Sequence, residues 1–196
     1  MKVDMNKIYW QAKGNVVFYT SKMPYFELSN MYHGMPIKIG DYVFNSSEAL
    51  YQACKYDKDL EVLPKSSKTD IANVRERILK ARTPMQAKMT QKCAVGYVRD
   101  DWEDIKVDVM FAVLVLKAAQ HERFREILLS TGNKDIIEQS KKDRFWGAVT
   151  KGGDNNILYG HNVLGQLLMK LRDGLDMYVL RYDEYDEWLR GLLDIE

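Results

Sequence analysis

Residues 45–56 have the sequence Asn-Ser-Ser-Glu-Ala-Leu-Tyr-Gln-Ala-Cys-Lys-Tyr, and we expect the rest of the fold to be arranged around this stretch. Asn45 followed three residues later by Glu48 matches the capping-box pattern, which predicts that a helix begins here. Side chains at positions i, i+3, i+4 and i+7 share one helical face. That face would carry Glu48, Tyr51, Gln52 and Lys55.

This predicted face combines a carboxylate, a phenol, an amide and an amine, whereas the opposite side of the helix is small and apolar. Two interpretations are open. The face is either an ordinary solvated surface on which Glu48 only caps the helix, or the lining of a pocket in which these groups act on a substrate. The choice depends on the rest of the chain.

Length and composition narrow the class of protein. The 196 residues predict a single domain spanning residues 1–196, and a formal net charge of +1 provides no overall field that would attract a polyanion. Any contact with nucleic acid therefore has to be local. Cys54 and Cys93 are the only cysteines, and no Cys or His pair at metal-ligand spacing accompanies them. We expect neither a disulfide framework nor a zinc site.

Signals for export or membrane insertion are missing from the sequence. No signal-peptide core stands at the N-terminus, and the most apolar run, residues 109–116, is too short to cross a bilayer. Together with the cysteine usage, this predicts a cytoplasmic protein without membrane contact.

The apolar periodicity predicts an α+β fold that is mostly helical and has a small sheet or hairpin. Strands are expected at residues 16–19, 35–39, 42–44 and 136–137, with Gly40-Asp41 as a hairpin turn. Further helices are expected near residues 71–79, 84–92, 101–116, 121–129 and 163–175. Loops should fill residues 21–32, 57–69 and 148–162, and a C-terminal extension, residues 176–196, should add an amphipathic helix to the motif-bearing core of about residues 16–175.

Two further groups of residues are candidates for chemistry. Trp102 begins the long predicted helix, where it belongs either to the core or to the wall of a pocket. Residues 143–147, Asp-Arg-Phe-Trp-Gly, precede a glycine- and asparagine-rich loop and then a helix that follows Asn162. Glycines let a backbone approach a ligand, and a helix N-terminus favours an anion, so this region is either a phosphate site or a flexible loop before a capped helix.

Common nucleotide and nucleophile motifs do not occur. No glycine-rich loop has a Walker or dinucleotide pattern, and no serine elbow accompanies His33, His121 or His161. Ordinary ATP, dinucleotide and Ser-His-Asp chemistry is therefore disfavoured.

Four motifs follow one another along the chain: Ser47-Glu48-x-x-Tyr51-Gln52-Ala53-x-Lys55-Tyr56, Trp102-Glu103-x-x-Lys106-x-x-x-Met110, Asp143-x-Phe145-Trp146-Gly147 and Gly160-x-Asn162-x-Leu164-Gly165-x-x-Leu168-Met169-x-x-Arg172. Leu28-Ser29-Asn30 precedes them. In this order they resemble the NADAR (YbiA-like) family over about residues 18–172. Two departures stand out: the position after Glu48 is often His in the family and is Ala49 here, and the loop at 148–159 is longer than in riboflavin-pathway members.

The resemblance implies an N-glycosidase that cleaves a bond between ribose C1 and nitrogen, without a metal or redox cofactor. Family substrates include ribosylamino-pyrimidine phosphates of riboflavin synthesis and ADP-ribose attached to guanine in DNA. The longer loop and the basic clusters at Lys65/Lys68 and Lys141/Lys142/Arg144 favour the second substrate and a DNA partner. The alternatives are a riboflavin intermediate, or a module that binds ADP-ribose or NAD without turnover.

The resemblance also implies roles for individual residues. Positive charge builds on the sugar as a C1–N bond breaks, so a carboxylate is needed; Glu48 is the first candidate and Asp143 the second. Lys55 could form a Schiff base with the opened sugar. The expected substrate-binding residues are Ser29, Asn30, Tyr51, Gln52, Trp102, Phe145, Trp146, Gly147 and Asn162, with the two tryptophans stacking on base or ribose and Asn162 with the amides behind it holding phosphate.

Overall fold

The computed structural model describes residues 2–56, 74–90, 94, 97–151 and 154–196. Within these residues the fold is α+β and mostly helical with small sheets, as the periodicity predicts. The predicted loop at 57–69 with its basic cluster, the first residues of the helix at 71–79, and Cys93 lie outside the described residues.

The described helices are α1 (Ser47–Ala53), α2 (Val74–Leu79), α3 (Pro84–Thr90), α4 (Trp102–Gln120), α5 (Glu122–Ser130), α6 (Val163–Asp173), α7 (Leu175–Leu180) and α8 (Tyr182–Leu193). The described strands are β1 (Tyr9–Gln11), β2 (Val16–Phe18), β3 (Ile37–Ile39), β4 (Tyr42–Phe44), β5 (Ile136–Glu138), β6 (Val149–Lys151) and β7 (Asp154–Tyr159). Contacts divide the chain into two compact units. The first comprises Met1–Ser29 and His121–Leu180, and the second comprises Asn30–Gln120 and Arg181–Glu196. The single domain over residues 1–196 stays a prediction.

The second unit is built on α4. Every residue from Val109 to Ala118 is buried, so this helix is enclosed on all sides by its unit, which its nearly continuous apolar sequence requires. Helices α1 and α8 and strand β3 pack against α4. The predicted hairpin is confirmed: β3 pairs antiparallel with β4, and Gly40 takes the positive φ of +54° that the tight turn demands.

The first unit combines small sheets with α5, α6 and α7. Strand β2 pairs in parallel with β5, and β1, β7 and β6 form a separate antiparallel sheet with β7 in the centre. Helix α6 packs on β5 and α5. Its inward side consists of the predicted leucines, all buried: Leu164, Leu167, Leu168 and Leu171.

Two predicted segments differ from the structure. The region predicted as a loop at 148–162 is largely the hairpin of β6 and β7, whose flanks pair Val149 with Tyr159 and Thr150 with Leu158. Strand β1, which the sequence analysis does not predict, completes that sheet. The predicted amphipathic helix of the extension is two helices, of which α7 belongs to the first unit and α8 to the second. Among the described residues, no helix is long and apolar enough to cross a membrane.

Candidate active site

Helix α1 begins one residue later than predicted, and its cap is a serine. Ser46 Oγ accepts a hydrogen bond from the Ala49 amide at 3.1 Å, whereas Asn45 Nδ2 donates to the Ala81 carbonyl at 2.9 Å. The predicted Asn45–Glu48 capping box is therefore wrong. Ser46 caps the helix instead because its short hydroxyl lies directly before the first turn, on an extended backbone with φ −166° and ψ 162°.

The polar face of α1 is buried rather than solvated. All seven residues of the helix are buried, including Glu48 at 6% and Gln52 at 2% exposure. Gln52 Nε2 donates to Glu48 Oε1 at 2.8 Å, and the Glu48 amide donates to the Asn30 carbonyl at 3.2 Å. A buried carboxylate is costly unless polar groups face it, and Gln52 provides one such group. That this face lines a pocket stays a prediction. The solvated-surface interpretation is wrong.

Lys55 follows the end of α1 and lies against two aromatic rings. Its Nζ is 5.4 Å from the centre of the Tyr51 ring and 5.5 Å from that of Trp102. The two rings are themselves 5.0 Å apart and inclined at 57°. Trp102 is 6% exposed, so it contributes to packing and also to the wall around the amine. Cation–π contacts of this kind orient a lysine without neutralising it.

Burial changes the acid–base behaviour of this region. It lowers the pKa of Lys55 below its ordinary 10.5, mainly through desolvation, while the nearby Glu48 carboxylate acts in the opposite direction. The same cause raises the pKa of the neighbouring Cys54 thiol to about 12, which keeps it protonated near neutral pH. Cys54 is therefore a poor nucleophile near neutral pH, and a nucleophilic role of Lys55 stays a prediction.

Three polar atoms near Glu48 have no hydrogen-bond partner within the part of the chain that the structure describes. They are Asn30 Oδ1, Ser47 Oγ and Gln52 Oε1. Asn30 directs its Nδ2 to the Met110 sulfur at 2.7 Å and leaves the oxygen unsatisfied. Buried polar atoms nearly always have a partner, and leaving one unsatisfied costs about 1–3 kcal/mol. The three atoms add to the polar groups that are buried around Glu48.

Asp143 has a different environment, in the first unit. Its Oδ1 accepts hydrogen bonds from the amides of Phe145 and Trp146, both at 2.9 Å, and its own amide donates to Ser140 Oγ at 3.0 Å. The rings of Phe145 and Trp146 meet edge to face with centres 5.0 Å apart. The carboxylate therefore fixes the turn that carries the two rings. Stacking of substrate between Trp102 and Trp146 stays a prediction.

The start of α6 is not open to a phosphate, which corrects the predicted role of Asn162 and the amides behind it. The amides of Asn162, Val163 and Leu164 donate at 3.0–3.1 Å to the carbonyls of Gly147, Phe145 and Trp146. The Asn162 side chain is fully buried; its Oδ1 accepts from the Glu138 amide at 3.0 Å and its Nδ2 donates to the Ile136 carbonyl at 2.9 Å. Asn162 joins α6 to β5 and is structural.

The glycines of this region serve close packing of backbone on backbone. A Cβ on Gly147 would lie 2.6 Å from the Glu138 carbonyl oxygen, and one on Gly165 would lie 2.0 Å from the Ile136 carbonyl oxygen. Gly147 was expected to let the chain approach a ligand, but that space is filled by β5. Ser29, the last residue of the first unit, is 2% exposed and its amide donates to the Phe26 carbonyl at 3.0 Å.

The sequence is similar to known proteins over most of its length. The sequence model of the NADAR domain matches residues 17–176. The chain belongs to the NADAR domain family. An N-glycosidase of Nostoc punctiforme is 33% identical over 161 residues, which cover 81% of this chain and 90% of that protein. The N-glycosidase YbiA of Escherichia coli K12 is 31% identical over 158 residues, covering 81% of this chain and 86% of YbiA.

This NADAR chain is also similar to part of a longer protein and to a solved structure. A riboflavin biosynthesis protein of Vibrio vulnificus is 32% identical over 160 residues, covering 82% of this chain and only 38% of that longer protein. The solution structure of E. coli YbiA matches with a TM-score of 0.63 at 27% identity, covering 92% of this chain and 96% of YbiA. The predicted family, the fold class and the enzyme class of hydrolases that act on N-glycosyl bonds are confirmed.

The site residues of this NADAR chain fall into two sets. Among those named from the sequence, the second unit holds Asn30, Glu48, Tyr51, Gln52, Lys55 and Trp102, and the first unit holds Ser29, Asp143, Phe145, Trp146, Gly147 and Asn162. In the Ser46-Ser47 pair, the first hydroxyl caps α1, and the second is fully buried. Among the described residues no group of three or more His, Cys, Asp or Glu could hold a metal ion.

We predict that Asp143→Ala and Asp143→Asn will differ. The alanine variant removes the acceptor of two backbone amides, so its unfolding free energy should fall by about 1–3 kcal/mol. The asparagine variant keeps an Oδ1 acceptor and should lose less than about 1 kcal/mol. Urea unfolding of both proteins, with kcat measured in parallel, checks this. A stable asparagine variant with kcat lowered 100-fold would instead give the carboxylate a place in the reaction.

Proposed function

We propose that Glu48 and Lys55 carry out the hydrolysis of a ribose C1–N bond in this family member. The observation that carries the proposal is the closeness of the two groups on one short segment, where the carboxylate of the buried Glu48 accepts a hydrogen bond from Gln52 and the amine of the half-buried Lys55 lies against the rings of Tyr51 and Trp102. An acid or base together with a nucleophile can serve such a reaction.

Glu48 would stabilise the transition state. As the C1–N bond lengthens, positive charge develops on C1 and the ring oxygen, and an adjacent carboxylate favours that charge. Hydrolysis then adds a water oxygen to C1, while one water proton reaches the departing nitrogen. Gln52 holds one Glu48 oxygen at 2.8 Å, and Glu48 would accept the proton from water through its other oxygen.

Lys55 offers a covalent route to the same products. Its neutral Nζ would bond to C1 as the bond from C1 to the base breaks, one Nζ proton would pass to the departing nitrogen and the other to the ring oxygen as the ring opens, and an imine would join C1 to Nζ. Water would then restore the sugar and the free amine. A lysine attacks only when it is unprotonated, and the burial that lowers the Lys55 pKa increases that fraction near neutral pH.

The proposed substrate is ADP-ribose attached to guanine in nucleic acid. Its support is the exposed basic group Lys141, Lys142 and Arg144, since phosphates are bound by local cations when the net charge is close to zero. Residues 148–159 give this substrate no support, because they form a hairpin rather than a long loop. The second candidate is a ribosylamino-pyrimidine phosphate, which the riboflavin biosynthesis relative favours.

A salt series separates these substrates. We expect hydrolysis of ADP-ribosylated DNA to fall steeply with salt, because three cation–phosphate contacts predict a log–log slope of kcat/KM of about −2 for a single strand and about −3 for a duplex. Hydrolysis of a free ribosylamino-pyrimidine phosphate should respond far less. Product release from both substrates, followed by mass spectrometry across the series, makes the comparison.

The paired variant Lys141→Ala/Lys142→Ala serves as the control. It should flatten the slope on DNA by about 1–2 and leave the free substrate unaffected. A clear preference for the free pyrimidine, with a flat salt profile on both substrates, would assign this enzyme to the riboflavin type.

A further inference from the structure

One face of the sheet formed by β1, β7 and β6 carries two aromatic side chains, of which Tyr9 is exposed and Tyr159 half-buried. Side chains alternate along a strand, and the register pairs Tyr9 with Tyr159 and Gln11 with Ile157, so these four share a face. The opposite face is directed into the core through Trp10, which is 2% exposed. By contrast, Tyr9 is 52% and Ile157 43% exposed. We call the four residues the Tyr9 face.

The aromatic groups of this face lie beside a cation. The Tyr9 and Tyr159 rings are 5.3 Å apart and inclined at 51°. The guanidinium carbon of the exposed Arg144 lies 5.3 Å from the centre of the Tyr159 ring. The Arg144 carbonyl accepts a hydrogen bond from the His161 amide at 2.7 Å, which joins the backbone that carries this side chain to the residues after β7. The Tyr9 face therefore ends at a positively charged side chain.

Further positive charge surrounds the same edge. Lys141 and Lys142 are exposed in the segment that leads to Arg144, and Lys13 is exposed just beyond the end of β1. The carboxylate within that segment, Asp143, already accepts two backbone hydrogen bonds through Oδ1. Cations in the segment that ends beside these aromatic rings are complementary to a polyanion that carries flat bases.

We propose that the Tyr9 face binds single-stranded nucleic acid, with bases stacked on Tyr9 and Tyr159 and the phosphates beside Arg144, Lys141 and Lys142. Stacking on tyrosine tolerates any base, and the cations follow the backbone. The proposal deepens the proposed function, because it rests on nucleic acid being the carrier of the modified base. It adds a contact with the strand around that base, made by residues outside the Glu48 and Lys55 site.

The Tyr9 face has the composition of a base-stacking surface rather than that of a protein–protein contact. Ile157 is the one exposed aliphatic side chain among the described residues of this face, since Val149, which pairs with Tyr159, is only 8% exposed; the other three residues of the Tyr9 face are two tyrosines and a glutamine. A docked protein segment would call for a broader apolar patch. A second copy of this chain is the other occupant to be tested.

Fluorescence anisotropy with a labelled, unmodified oligodeoxythymidine of about 12 nucleotides tests the proposal directly. We expect micromolar binding at low salt, about tenfold weaker for Tyr9→Ala and within about twofold of the parent for Tyr9→Phe, which keeps the ring. Lys142→Ala should reduce the log–log salt slope by about 0.7, the value for one phosphate on a single strand. Tyr42→Ala, which alters an equally exposed tyrosine on β4, should bind like the parent.

The outcomes are separable from those of the proposed function, because the probe carries no scissile bond. Binding that depends on the Tyr9 ring supports this inference even if ADP-ribosylated DNA is not hydrolysed. No detectable binding at low salt, or equal affinity of Tyr9→Ala and the parent, overturns it. Self-association in sedimentation that Tyr9→Ala abolishes, without binding to the oligonucleotide, also overturns it and makes the face a contact between copies. Circular dichroism of each variant verifies the fold.

Discussion

Replacing Glu48 with glutamine should lower kcat by about 100-fold or more, because proton transfer by a placed side chain contributes roughly 10²–10⁴ in rate. The substitution keeps the size of the side chain and an oxygen that can accept the bond from Gln52 Nε2. The fold should therefore survive, and the loss should be in kcat rather than in KM. Release of the base from the N-riboside, followed by chromatography, measures both constants.

Glu126→Gln is the matched control, since Glu126 is an exposed glutamate on α5, which belongs to the first unit. It should leave both constants unchanged. A kcat of the Glu48→Gln variant within about threefold of the parent would remove this carboxylate from the reaction. Thermal unfolding of each variant is needed beside the kinetics, because Glu48 is buried and an unstable variant would lose activity for another reason.

Replacing Lys55 with alanine should be comparably damaging if the covalent route operates. Borohydride added during turnover should then reduce the imine and leave a permanent adduct on the parent enzyme, and peptide mapping should locate it at Lys55. The Lys55→Ala protein should give no adduct. Lys80→Ala is the matched control. Lys80 directly follows α2, and its side chain is 72% exposed.

The pH profile gives the sign of the Lys55 effect. Its folded pKa lies below the ordinary value of 10.5, so activity that depends on the free amine should rise with pH through that lowered value. The same shift makes the folded chain bind fewer protons than the unfolded chain in the window between the two values. Stability attributable to this group therefore increases with pH there. Lys55→Ala should abolish the rising limb; an unchanged limb together with a normal rate would exclude the amine.

Periodicity was sufficient for the elements whose packing is local. The apolar repeat at 101–116 predicted the long helix α4, and the glycine turn at 40–41 predicted the hairpin of β3 and β4; both are confirmed. The hairpin of β6 and β7 was not predicted because its glycines and asparagines are typical of a loop. The alternation of a strand is nevertheless present, since Ile157 is exposed and Leu158 is buried on the opposite face of the sheet. Strand β1 was not predicted because it is defined by its hydrogen bonds to β7, which lies far away in the sequence.

The candidate site was predictable in its residue types but not in its environment. Spacing placed Glu48 and Gln52 on one face, yet it does not tell what packs against that face, so the choice between solvent and pocket stayed open until burial was known. The amides at the start of α6 illustrate the same limit. Their partners, the carbonyls of residues 145–147, stand more than a dozen residues earlier in the chain, and no local pattern reveals such a bond.

The complete burial of α1 limits which amino-acid substitutions this helix can tolerate. A helix of seven residues is too short to persist on its own, so its shape depends on what surrounds it. A larger side chain at Ala49 or Ala53 would meet the packed interior, and an apolar one at Gln52 would leave the carboxylate without its amide donor. Tolerance to substitution is therefore low on both faces at once. Selection for a new substrate has little freedom within α1, and variation in specificity has to arise in the segments around it.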